Sequence, residues 1–62
     1  MTDAQRHLFG NKLAHDERVQ SEYSHLIGNG SYEDFGKLLT NMLAEEEQFK
    51  IFYPLLLEHG FK

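Results

Sequence analysis

The sequence predicts an all-α fold, an antiparallel helical hairpin, and three observations lead there. Apolar residues recur at helical spacing in two long stretches. Neither stretch shows the two-residue alternation of a half-buried strand. Between them lies the densest group of turn formers in the chain, Gly28-Asn29-Gly30-Ser31. A chain of 62 residues has room for one domain, residues 1–62, near the lower size at which a core alone holds a fold.

The first helix is expected over residues 3–27. Thr2-Asp3-Ala4-Gln5 has the form of a capping box, a hydroxyl followed three residues later by Gln. Asp3 places negative charge in the first turn, where the helix dipole favours it. Leu8, Phe9, Leu13, Val19, Tyr23, Leu26 and Ile27 then fall within one stripe about 140° wide. Gly10 and Asn11 interrupt it, and a helical Gly costs about 1 kcal/mol against Ala, so a soft spot is expected there.

Gly28 suits the end of that helix, and Ser31 suits the cap of the next. So short a connection returns the chain antiparallel. The second helix is expected over residues 32–59, with Glu33 and Asp34 at its positive end. Tyr32, Phe35, Leu38, Leu39, Met42, Leu43, Phe49, Tyr53, Leu56 and Leu57 share a face. Ile51, Phe52 and Leu55 project from the other side, which makes the segment from Phe49 to Leu57 apolar nearly all round. Pro54 either kinks this helix or opens a short third one, since it has no N–H to donate. Gly60 ends the last helix, with Phe61 folding back on Leu56 in a Schellman motif.

Composition removes several classes of function. Cysteine is absent, so neither a disulfide nor a thiolate metal site can form. Net charge is -4, with 10 acidic residues against 6 basic, and no cationic face is visible for nucleic acid or for an anionic membrane. The N-terminus is polar and no apolar run approaches a membrane span, so a cytoplasmic location is expected. No arrangement of serine, histidine and acid suggests catalysis, and no cofactor motif is present.

Two features point to association instead. Lys12 and Asp16 fall near the middle of the first helix's apolar stripe, and Glu46 near the middle of the second's. A charge in an apolar face is costly unless paired, so the three are expected to form a buried polar layer that sets register. Ile51, Phe52, Tyr53, Leu55 and Phe61 form an aromatic-rich patch of the kind found at interface centres. The expected state is a homodimer forming a four-helix bundle. The expected role is non-catalytic: an adaptor, inhibitor or regulatory subunit that binds a protein through this patch.

The alternative is a metal site. Glu22 and His25 have the Glu-x-x-His spacing of carboxylate-bridged metal bundles, and a dimer would add Glu45, Glu46 or Glu47 twice. The segment Ala44-Glu45-Glu46-Glu47-Gln48-Phe49 resembles helices of ferritin-like and spore-coat proteins. That resemblance implies a metal-binding homodimer, although the His those helices place after the Glu is missing. Glu22 and Glu46 also lie at unequal distances from the turn, roughly 13 Å apart along the helix axis.

Overall fold

Helices in this protein begin where a side chain or a run of acid can serve the exposed N–H groups, and there are more such places than two. A computed structural model describes residues 1–27 and 31–62. The described residues form five helices and no strand: α1 (Asp3–Ala14), α2 (Glu17–Glu22), α3 (Ser24–Ile27), α4 (Tyr32–Met42) and α5 (Glu46–Glu58). The expected turn at Gly28-Asn29-Gly30 lies outside the described residues.

The expected start signals hold. Thr2 Oγ1 accepts from the Gln5 N–H (3.1 Å) while the Thr2 N–H donates to Gln5 Oε1 (2.8 Å), completing the capping box. Ser31 Oγ accepts from the Asp34 N–H at 3.3 Å. The expected end signal holds too. Gly60 has φ 99°, the Phe61 N–H donates to Leu56 O at 2.9 Å, and the Gly60 N–H donates to Leu57 O at 3.2 Å.

Both long rods are broken, which corrects the two-helix expectation. The first breaks at Asp16, whose extended backbone (φ -82°, ψ 123°) and side chain cap α2 by accepting from the Arg18 N–H at 2.8 Å. It breaks again at Tyr23 (φ -114°, ψ 27°). The second breaks between Leu43 and Glu45, and Glu45 takes the extended cap conformation (φ -93°, ψ 129°). Glu46 and Glu47 then supply negative charge to the first turn of α5. Pro54 neither opens a third helix nor ends this one; α5 runs past it to Glu58.

The core is Phe9, Leu13 and Ala14 of α1, Val19 of α2, Phe35 and Leu39 of α4, Leu43 after it, and Phe52 and Leu56 of α5. The chain has a radius of gyration of 10.6 Å. A lone folded chain of this length is expected at about 11 Å. The chain is therefore as compact as a folded domain of its length.

Gly10, expected as a soft spot, is a contact point. It is buried, and a Cβ there would overlap the Thr40 hydroxyl and stand 3.0 Å from Thr40 N and 3.1 Å from Gly36 O. The glycine lets the α1 and α4 backbones meet. Thr40, also buried, donates its hydroxyl to Gly36 O at 2.9 Å, with Arg6 O of α1 3.4 Å away. Gly36 is looser: its added Cβ would stand 3.5 Å from Asn11 Oδ1 and 3.7 Å from Ala14 Cβ, ordinary contacts.

The two glycines should therefore respond oppositely to alanine. Gly10→Ala forces backbone apart, an overpacking cost of about 1–3 kcal/mol that outweighs the gain in helix propensity. Gly36→Ala collects that gain, up to about 1 kcal/mol, without a clash. Thermal unfolding followed by circular dichroism should show the first variant melting lower than the parent and the second higher. Equal melting temperatures would contradict the close approach.

Candidate functional site

Two short helix segments face each other with apolar side chains between them. From α2 come Arg18, Val19 and Glu22, followed by Tyr23 at its end; from α5 come Ile51, Phe52 and Leu55. Together they line a groove of about 230 Å³. Its floor is Val19 and Phe52, both core residues. Tyr23 packs on Phe52 with ring centroids 5.4 Å apart. Leu55 is half-buried, and Ile51 stands up beside the groove, 59% exposed.

The patch expected from sequence is therefore divided. Phe52 is 1% exposed and belongs to the interior, which corrects its place among the partner-binding residues. Tyr53 and Phe61 belong to a different cluster. Phe61 meets Phe9 edge-on at 5.5 Å, Phe49 at 5.9 Å and Tyr53 at 6.2 Å, pinning the C-terminal segment to α1. Only Ile51 and Leu55 of the five are placed at the groove with surface to spare. Spacing explains the split: Phe49, Phe52 and Leu56 lie on the inward face of α5, whereas Ile51 and Leu55, four apart, lie to one side.

The expected polar layer is also redrawn. Asp16 is buried and is its centre. Asp16 Oδ2 accepts from Arg18 Nη2 (2.9 Å) and from His59 Nε2 (2.9 Å), and Oδ1 accepts from Arg18 Nε (3.2 Å). Arg18 Nη1 reaches on to Glu58 Oε2 at 2.7 Å. Lys12 stays exposed but converges on the same place, donating to His59 O at 3.2 Å, with its ammonium 5.1 Å from the Phe9 ring centroid. Glu46 is not part of it. Its side chain is 84% exposed in the first turn of α5 and lies 3.7 Å from Lys50. Arg18, Glu58 and His59 are the residues that sequence reasoning missed. They are ordinary surface types, and only the fold brings the start of α2 to the end of α5.

The cluster fixes the width of the groove, because it ties together the two helices that wall it. The Arg18 guanidinium bonded to Asp16 holds that carboxyl well below the usual carboxylate range; burial opposes this, and His59 reinforces it. The same contact, with Glu58 adding to it, holds the Arg18 proton more tightly than usual.

The pieces of the metal reading are not assembled. Glu22 ends α2 and His25 lies in α3, so the break at Tyr23 separates a spacing that needs one continuous helix. Among the described residues, no group of three or more His, Asp or Glu side chains could hold a metal ion. Nor does any serine or threonine hydroxyl bond to His15 or His59 among the described residues; His15 Nδ1 donates to Asn11 O at 2.8 Å instead. No described helix is long and apolar enough to cross a membrane.

Fold and groove define a class, a small all-α chain with an apolar cleft between two of its helices. No family model, no curated protein and no solved structure matches the chain.

The depressed Asp16 carboxyl makes a testable statement about pH. A group with a lowered folded pKa adds stability that is present above its unfolded pKa, near 4, and is lost as pH falls below it. Asp16→Asn keeps a capping side chain but removes the charge. At neutral pH the variant should melt several degrees below the parent. The gap should narrow as pH falls below about 4, because the parent's unfolded chain takes up a proton there that its folded form does not. A gap that stays constant with pH would show that the Asp16 charge adds no stability.

Proposed function

We propose that this chain is a non-catalytic protein–protein interaction module, an adaptor, inhibitor or regulatory subunit, that docks through the α2–α5 groove. The observation that carries this reading is Ile51. A large apolar side chain stands 59% exposed on the rim of a cleft floored by core residues, in a chain whose own core is already closed. Exposed aliphatic surface next to a shaped apolar hole is the geometry of an interface centre. Arg18 and Glu22 at the edge supply the polar rim that such centres carry.

Catalysis has no comparable support. Among the described residues, the tightly organised charged cluster around Asp16 has its oxygens occupied by Arg18 and His59 and serves to join helices. The mildly acidic charge argues against a nucleic-acid partner.

Affinity capture from the cells that make the protein tests this reading. The tagged chain should retain a defined protein set, and Ile51→Asp should lose it. Because Ile51 is exposed, the substitution should leave stability within about 0.5 kcal/mol of the parent. Melting temperature and helical signal should therefore be unchanged. If the variant retains the same proteins as the parent, the groove is not the docking site.

A further inference from the structure

Resting on the docking reading above, we propose that the groove's occupant is a second copy of this chain, related to the first by a twofold axis. Two features of the surface select that partner. The first is shape. Knob and hole lie side by side: Ile51 projects next to the cleft formed by Val19, Tyr23, Phe52 and Leu55. A twofold axis beside them seats each Ile51 in the other chain's cleft, so one surface fills both roles.

The second is charge. The rim carries one cation and one anion, Arg18 and Glu22, one helical turn apart on α2. An acidic partner would be attracted at one of these and repelled at the other, and so would a basic one. A partner that suits both must present the opposite pair in reverse order. Two α2 helices running antiparallel across a twofold axis do that, placing Arg18 beside the partner's Glu22 twice. Arg18 has the capacity. A guanidinium has five N–H groups; Asp16 and Glu58 take three of those on Arg18, so two remain.

Sedimentation equilibrium on the full chain, over a concentration series from low to high micromolar, reads the association directly. The parent should show a monomer–dimer equilibrium. Ile51→Asp should be monomeric throughout, with its helical signal unchanged. Glu22→Arg sets a new guanidinium against the partner's Arg18 at both symmetry-related contacts and should weaken the dimer roughly tenfold or more. A dimer that survives Ile51→Asp would place the interface elsewhere and overturn the proposal, and one indifferent to Glu22→Arg would overturn the twofold pairing. A parent chain monomeric at every concentration would overturn the second copy as occupant. The docking reading fails separately, if capture from cells is indifferent to Ile51→Asp.

Discussion

The close approach of α1 to α4 at Gly10 is the constraint on which the rest of this fold depends. A chain this short has few apolar residues to spare, and they can interlock only if their helices come near. With no side chain at Gly10, the α1 backbone lies against Thr40 and Gly36 of α4. Phe9 and Leu13 on one helix and Phe35 and Leu39 on the other are then all buried. The Thr40 hydroxyl bonds to a carbonyl of its own helix, so the seam holds no buried polar side-chain atom without a partner. On the platform so formed α5 lays Phe52 and Leu56, and the groove lies between α5 and α2.

Two charges that look misplaced on a helical wheel turn out to be the clearest sign that the wheel has been drawn too long. Asp16 and Glu46 each fall inside an apolar stripe only if the helix continues through them. It does not: Asp16 caps α2, and Glu46 opens α5. Hydrophobic periodicity cannot detect such breaks when the next helix resumes in a similar phase. Capping preference can, because an Asp or a run of Glu is stabilising at an N-terminus and costly in an apolar face. What was legible in the sequence was accordingly local. The Thr2 box, the Ser31 cap and the Gly60–Phe61 ending each depend on residues within a turn of one another, and each is present.

What was not legible is whatever depends on a second element. Phe52 reads as surface on a wheel that starts at Tyr32, and as core once α5 starts at Glu46 and leans on Val19 and Tyr23. Ile51 and Leu55 read correctly as lying off the main face. Only the neighbouring α2 shows that they border a cleft. The bonds from Asp16 to Arg18 and His59, and from Arg18 to Glu58, join residues up to 43 positions apart. No spacing rule reaches that far. Lys12, expected in a buried layer with Asp16, is exposed, and its tie is to the backbone at His59, a partner with no signature in sequence.

The way the core is closed also limits the kind of association this protein can make. Had the long apolar helices survived, each hairpin would have left a full face open, and folding would have required a neighbour. Breaking them into shorter pieces folds that surface inward. Phe52 and Leu56 are dry within one chain, whose dimensions are those of a compact domain. Among what remains outside are a ridge and a cleft, walled by helices that the Asp16 cluster joins. An interface built there joins chains that are already folded, so its strength rests on how well Ile51 fills a hole and how the rim charges are matched. Such a surface can be engaged and released without unfolding either side.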